Sequence, residues 1–203
     1  MEVEMTETQL LQIGFSKKFL GKSLKNFLGN SKERKVVRSY MKYMKSKASK
    51  GEGLLIQGAD QSGKSLLANL IGMSALAYGF KVQLLSLSEL TALKFDTGNF
   101  DETAFDEILG IDFLIIDGLK LEHQADKYAI NDGMVAAFYD VLKFRDKQVL
   151  PTVVTTRMTD IEIEKTFGDS VMGLLEENFM PLDCIRVAKW KRKRVRDDDG
   201  TDE

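Results

Sequence analysis

Eight consecutive residues in the first third of the chain have the types and spacing needed to hold phosphate. They read Gly58-Ala59-Asp60-Gln61-Ser62-Gly63-Lys64-Ser65, which is the G-x-x-x-x-G-K-S pattern of a P-loop. The glycines allow successive backbone N–H groups to point at phosphate oxygens. Lys64 is expected to reach the β- and γ-phosphates of a nucleotide, and the Ser65 hydroxyl to ligate Mg²⁺. We therefore predict that residues 58–65 and the following Leu66 form the nucleotide site.

The residues that flank this loop fit the same interpretation. The apolar run 53–57 before it is typical of a buried strand, and 66–71 after it has a helical pattern. A helix beginning at the loop adds its positive N-terminal end to the phosphate site. The alternative, a glycine turn that binds nothing, is disfavoured by this strand–loop–helix context.

A carboxylate that follows an apolar run supplies a second candidate. Residues 111–117 read IDFLIID, which predicts a buried parallel strand with Asp117 at its C-terminal tip. With a P-loop upstream, Asp117 is expected to hold Mg²⁺ beside the nucleotide. The catalytic candidates are therefore Lys64 and Asp117, and the metal candidates are Ser65 and Asp117. The alternative is that Asp117 simply begins a loop.

The elements that must position these residues alternate between strands and helices. We predict an α/β fold with a mostly parallel five-stranded sheet flanked by helices. The predicted strands are 53–57, 81–86, 111–117, 151–156 and 183–187. Ser31 is predicted to cap the helix before the P-loop strand, with Met41 and Met44 on its inner face. A long helix over 126–147 is predicted, with Val149 among its core residues.

Charge is strongly segregated, although the net charge is only −2. Residues 16–50 are rich in lysine and arginine, and a second basic block covers 189–196. This asymmetry favours a polyanionic partner, most plausibly single-stranded DNA bound through these two segments. The alternative is a solvated helix face and a charged tail. Trp190, within the second block, is expected either to pack or to stack on a base.

Composition narrows the class of protein further. The single cysteine, Cys184, cannot form an intrachain disulfide and is typical of a reducing compartment. It is expected to pack as a small hydrophobic residue. His123 is the only histidine in the sequence, which disfavours a histidine-based metal cluster and a serine–histidine triad. We find no signal-peptide pattern and no span suited to a bilayer, and therefore expect a cytoplasmic protein, in a host cytoplasm if phage-encoded.

The chain resembles the AAA+ helicase-loader group typified by DnaC, with IstB-type transposition ATPases as relatives. The resemblance covers about residues 15–196. It depends on the P-loop, LKNF at 24–27, LIID at 114–117, PTVVT at 151–155 and FGDSVM at 167–172. It implies an AAA+ P-loop NTPase that binds ATP with Mg²⁺, has a reduced or absent lid, and assembles in a nucleotide-dependent homo- or hetero-oligomer. Its implied partners are a replicative helicase and single-stranded DNA.

The resemblance also implies a division of the chain and exposes departures from the family. We predict an N-terminal extension (1–30), an ATPase domain (31–196) and a disordered acidic tail (197–203).

Gly118 stands where the family carries a catalytic acid, with Glu122 the nearest downstream carboxylate. Arg157 stands near its sensor asparagine, and Ser170 and Leu174 stand where arginines occur. These departures predict nucleotide binding with slow or absent hydrolysis.

Three functions remain open from the sequence. One is a helicase-loader-like ATPase acting in DNA replication. The second is a nucleotide-gated accessory subunit of a transposition or replication complex, which binds ATP without hydrolysing it. The third, a small-molecule kinase, is disfavoured because the strand carrying Asp117 is expected to be separated from the P-loop strand by another strand.

Overall fold

The fold centres on a parallel sheet in which the P-loop strand lies next to last. A computed structural model describes residues 5–95, 102–119 and 132–184. The strands are β1 (Gly53–Gly58), β2 (Val82–Leu85), β3 (Phe113–Leu119), β4 (Thr152–Thr156) and β5 (Phe179–Cys184). Their spatial order is β2-β3-β4-β1-β5, and every neighbouring pair is parallel. The predicted five-stranded parallel sheet is confirmed, and β4 does separate β1 from β3.

Helices cover both faces of this sheet. They are α1 (Glu7–Gln12), α2 (Ser31–Lys42), α3 (Met44–Ala48), α4 (Lys64–Ala77), α5 (Leu87–Phe95), α6 (Glu102–Leu109), α7 (Asp132–Lys147), α8 (Asp160–Phe167) and α9 (Asp169–Asn178). Among the described residues, no helix is both long and apolar enough to span a membrane. The predicted helix start at 126, His123, the basic block 189–196 with Trp190, the lid region and the tail 197–203 lie outside the described residues.

Alternating strand residues divide the core into two layers. Leu54 and Ile56 of β1 face a cluster with α2 and α4, whereas Leu55 faces a second cluster with α7 and α9. This alternation follows from the two-residue period of a strand, and burial on both faces explains the nearly continuous apolar runs. Phe15 and Phe27 of the predicted extension are 2% and 0% exposed in the first cluster. That segment therefore packs over the core.

A buried arginine ties the second layer together at the opposite end of the sheet from the P-loop. Arg145 of α7 is 1% exposed. Its guanidinium donates to the carbonyl oxygens of Leu109 (2.9 Å), Ile111 (2.7 Å) and Pro151 (2.7 Å), and to Thr152 Oγ1 (2.8 Å). Burial lowers the pKa of Arg145 to about 9, so the group stays charged at neutral pH. Its hydrogen bonds are therefore charge-assisted.

Three details of the sequence prediction are wrong. Asn30, not Ser31, caps α2: its side chain accepts from the Glu33 N–H at 2.9 Å, and the Glu33 carboxylate accepts from the Asn30 N–H at 2.7 Å. This reciprocal pair satisfies two free donors at the helix end. Val149 is 50% exposed with φ of 56°, because it lies in the tight turn after α7 rather than on the helix.

The third error is the position of the last strand, which begins at Phe179 rather than at residue 183. Pro181 lies inside it. Among the described strands, β5 pairs only with β1, and an edge strand tolerates a proline because one side of its backbone needs no ladder hydrogen bonds. Met41 and Met44 do pack in the core as predicted, Met44 with 0% exposure.

Cys184, at the end of β5, is buried as expected and should be chemically inert. Burial raises the pKa of its thiol to about 12, and the nearby Glu33 carboxylate adds to this. The native thiol therefore forms far less of the reactive thiolate than the unfolded chain does at the same pH. We expect an aromatic disulfide reagent at pH 8 to modify the native protein far more slowly than the guanidinium-unfolded protein. Equal rates would contradict the burial of this residue.

Candidate nucleotide site

The P-loop connects the C-terminal end of β1 to the first turn of α4. Gly63 has φ of 97°, a left-handed conformation that favours glycine. A Cβ at this position would also lie 2.7 Å from the Phe27 ring. Phe27 therefore packs against the outer side of the loop. Sequence analysis noted its motif but did not predict this contact, since nothing local in the sequence places residue 27 beside residue 63.

Lys64, the first residue of α4, points back across the loop. Its Nζ donates to the carbonyl oxygens of Gly58 (2.6 Å) and Ala59 (2.8 Å). Burial lowers the pKa of Lys64, while the Asp60 and Asp117 carboxylates act in the opposite direction. The half-buried ammonium is thus held at the mouth of the loop beside the free N–H groups of the α4 N-terminus, which is an arrangement suited to anions.

Ser65 and Asp117 come together although they are 52 residues apart in the chain. Ser65 Oγ donates to Asp117 Oδ1 at 3.1 Å. A hydroxyl and a carboxylate are hard oxygen ligands of the kind that Mg²⁺ prefers, and both side chains are partly accessible to solvent. The two predicted metal ligands therefore fit a magnesium ion that completes its shell with water and phosphate oxygens. Among the described residues, no group of three or more histidine, cysteine, aspartate and glutamate side chains could hold a metal ion.

Thr155 of β4 is a member of the site that sequence analysis missed. Its hydroxyl donates to Asp117 Oδ1 at 2.6 Å and accepts from the Gly118 N–H at 2.9 Å. The register pairs Asp117 with Thr155 across β3 and β4. Threonines in an otherwise valine-rich buried strand were the available signal, but their partner could not be identified without the strand order. Thr155 fixes the orientation of the carboxylate.

The helix α4 is anchored below the loop by an asparagine. Asn69 is 3% exposed; its amide donates to the Ser65 carbonyl oxygen at 2.8 Å and accepts from the Ser16 N–H at 3.0 Å. The N-terminal segment is thus hydrogen-bonded to the nucleotide-site helix as well as packed against the loop.

Of the predicted site residues, Gly58, Ala59, Asp60, Gln61, Ser62, Gly63 and Leu66 all lie in the loop or the first turn of α4.

Three solved structures are similar to this chain in fold. The DnaC helicase loader superposes with a TM-score of 0.70 over 83% of this chain and 99% of its own, at 17% identity. DnaI gives 0.66 over 85% and 96%, also at 17% identity. AMPPCP-bound DnaA from Aquifex aeolicus gives 0.62 at 17% identity; the match covers 84% of this chain and 51% of DnaA. The chain has the AAA+ P-loop fold.

No protein-family model and no curated protein matches this sequence. The AAA+ fold anticipated from the DnaC resemblance is therefore established by structure, at identities too low to carry over activity. The residues themselves have to support any statement about function.

Within the AAA+ fold, the position that follows Asp117 has a backbone made for glycine. Gly118 has φ of 94° and lies at an irregularity of β3, between the residues that pair with Thr155 and Thr156. A glutamate there would adopt a strained left-handed conformation. Glu122, the nearest downstream carboxylate, lies outside the described residues.

The segment expected to carry an arginine finger contains no arginine from Asp160 to Asn178. Ser170 is exposed near the start of α9, whereas Leu174 packs against the second core cluster. Arg157, directly after β4, lies beside the P-loop, and its Nη1 is 3.1 Å from Asp60 Oδ2. Arg157, the cation near the family's sensor position, therefore already forms an ion pair with Asp60 of the P-loop.

Proposed function

We propose that this chain binds ATP with Mg²⁺ and acts in DNA replication as a helicase-loader-like AAA+ protein of the cytoplasm. The observation that carries the proposal is the Ser65–Asp117 contact at 3.1 Å, which joins the P-loop helix to the tip of β3 in a DnaC-like fold. Nucleotide-dependent contact with a replicative helicase and with single-stranded DNA follows from the same resemblance. The assembled form is a homo- or hetero-oligomer.

The residues of the site have separate roles in binding the nucleotide and the metal ion. Backbone N–H groups at the α4 N-terminus (63–65) bind the phosphates, and the Lys64 ammonium exchanges the Gly58 and Ala59 carbonyls for phosphate oxygens. Ser65 and Asp117 hold Mg²⁺, with Thr155 keeping the carboxylate in place. When bound, Mg²⁺ neutralises phosphate charge.

Hydrolysis by this chain alone is proposed to be slow. Gly118 offers no carboxylate to activate water, and the α8–α9 segment offers no arginine. An arginine finger is worth about 10³ to 10⁵ in turnover in NTPases that use one. A partner subunit that supplies these groups would restore hydrolysis in a mixed complex.

The surface proposed for single-stranded DNA lies on α2 and α3. Lys35, Arg38, Lys42 and Lys45 are all exposed. Two tyrosines interrupt them: Tyr43 is 52% exposed and Tyr78, after α4, is 39% exposed. Lys42 and Lys45 lie over these rings at 5.1 and 5.9 Å. Exposed rings among cations suit stacking on unpaired bases.

Reversing three of these charges tests the DNA surface. We expect Lys35→Glu, Arg38→Glu and Lys42→Glu together to weaken binding of an oligo-dT strand. If all three contact phosphates, the log–log salt slope should fall by about 2, since each contact to a single strand contributes roughly 0.7. The matched control reverses the exposed Lys143, Lys147 and Lys165 on the opposite layer. An equal effect of both triple variants would mean that the charges on α2 form only a solvated helix face.

A second function is favoured by the same missing catalytic groups. A nucleotide-gated accessory subunit of a transposition or replication complex would bind ATP as an assembly switch and need neither the acid nor the finger. It differs from the loader in its partner rather than in its nucleotide site.

Affinity purification from the native host separates the two. Tagged wild-type protein is recovered with ATP present, beside Lys64→Ala as the control for nucleotide dependence. Recovery of a replicative helicase with the wild type and its absence with the variant supports the loader. Recovery of a transposase or a second AAA+ subunit supports the accessory role, and no nucleotide-dependent partner contradicts both.

A further inference from the structure

The Phe27 ring lies between two glycines that belong to different elements. A Cβ on Gly63, in the phosphate loop, would lie 2.7 Å from one edge of the ring, and a Cβ on Gly29, just before α2, would lie 2.2 Å from the other edge. Phe27 is 0% exposed, and a close-packed interior leaves its ring no empty space to move into. A shift at either glycine is therefore passed through the ring to the other one.

Gly29 is in turn fixed against the first turn of α2. A Cβ at this position would lie 1.9 Å from Glu33 Oε2, so no side chain fits there. Glu33 is 2% exposed, and its carboxylate accepts from the Asn30 N–H in the capping pair at the start of the helix. Phe27, Gly29 and the first turn of α2 therefore form one packed unit.

Arg34 joins this unit to the rest of α2. Its Nη2 donates a charge-assisted hydrogen bond to the Phe27 carbonyl oxygen at 3.0 Å, seven residues away in the chain. Its Nε is buried and has no hydrogen-bond partner among the described residues. Because a buried donor without a partner is unfavourable, a small movement of α2 that gives Nε a partner has little cost.

The helix that Arg34 anchors also carries the proposed DNA surface. Lys35 follows Arg34 directly, and Arg38 and Lys42 lie one and two turns after it. Val37 and Tyr40 on the inner side of the helix are buried in the same cluster as α4, the helix that begins in the phosphate loop. The DNA surface and the phosphate loop are therefore connected by direct contacts through α2, Phe27 and Gly63.

We propose that Arg34 is a positioning residue that couples the two sites, so that nucleotide and single-stranded DNA each tighten the binding of the other. Phosphates in the loop hold Gly63 in place, and through Phe27 they hold Gly29 and the first turn of α2. DNA then binds a helix that is already ordered, which lowers the cost of binding. The inference rests on the proposed nucleotide and DNA binding and deepens it by naming the residues that link them.

The coupling is measured by titrating each ligand with and without the other. Labelled oligo-dT is followed by fluorescence anisotropy with and without saturating AMPPCP and Mg²⁺, and AMPPCP is followed by calorimetry with and without oligo-dT. We expect each ligand to tighten the other by about 5- to 150-fold, the usual range for coupled sites. The factor should be the same in both directions, because a coupling free energy is reciprocal.

Arg34→Met should lower this factor to about one, since methionine keeps an apolar stem but cannot donate to the Phe27 carbonyl. The matched control is Lys32→Met, which removes an exposed cation from the same helical turn. Each variant loses one positive charge, so only the loss of coupling distinguishes them. Phe27→Leu shortens the contact between the two glycines and should lower the factor as well. Circular dichroism checks that each variant is folded.

A factor of one or below in the wild type, with both ligands bound, would overturn this inference and leave nucleotide and DNA binding intact. A factor that Arg34→Met retains in full would also overturn it, because the coupling would then not depend on this residue. A wild-type chain that fails to bind AMPPCP or oligo-dT would instead contradict the proposed function, and the inference would fail with it.

Discussion

Lys64→Ala is expected to weaken Mg-ATP and Mg-ADP binding by about 100-fold or more while leaving the fold intact. The ammonium is the cation nearest to the loop's free N–H groups, and a lost charge-assisted contact to phosphate costs about 1.5–3 kcal/mol for each bond. The bonds that Lys64 makes in this structure go to the Gly58 and Ala59 carbonyls, in a loop open enough for water to replace them. Calorimetric titration measures the affinities.

The control is Lys143→Ala, which removes an exposed lysine from α7. Its nucleotide affinity should equal that of the wild type, and circular dichroism should show both variants folded. Nucleotide-dependent assembly, measured by light scattering, should disappear with Lys64→Ala only. Unaltered affinity in the Lys64 variant would mean that the P-loop interpretation is wrong.

Arg145→Ala should have the largest effect on stability, lowering the free energy of unfolding by about 3–5 kcal/mol, since each buried acceptor left without a donor costs about 1–3 kcal/mol. It leaves the carbonyl oxygens of Leu109, Ile111 and Pro151 without this donor, and removes the donor to Thr152 Oγ1, at a largely buried site. Since domains are stable by only about 5–15 kcal/mol, this is a large share of the total. Urea denaturation followed by circular dichroism measures the change.

Two further variants sharpen that experiment. Lys147→Ala, at the exposed last position of the same helix, should change the unfolding free energy by no more than about 0.5 kcal/mol. Arg145→Met keeps most of the apolar stem but donates no hydrogen bond, so it should remain strongly destabilised. If Arg145→Met were as stable as the wild type, packing rather than the hydrogen bonds would hold this end of the sheet.

The parts of the molecule that the sequence predicted well are those with a local signature. The P-loop has fixed spacing, and Asp117 ends an unmistakable apolar run, so both were found and Ser65 could be paired with Asp117. The parallel sheet followed from the alternation of strands and helices.

The parts that were missed depend on contacts between distant residues. Thr155 and Asp117 are 38 positions apart, and their contact depends on β4 lying beside β3. Arg145 looked like one more charge on a long helix, since no pattern shows that its head reaches carbonyl oxygens 34 and 36 residues away. The error in the predicted start of β5 also depends on the strand order, because a strand can contain Pro181 only at the edge of the sheet.

The packing of Phe27 on Gly63 means that the phosphate loop has one wall made by the N-terminal segment. Its ring occupies the space beside a loop residue, and Ser16 in the same segment bonds the helix that starts there. Any protein that grips or pulls residues 16–27 therefore acts on the shape of the nucleotide pocket without touching it. Removing residues 1–30, the predicted extension, is therefore expected to remove that wall and weaken nucleotide binding.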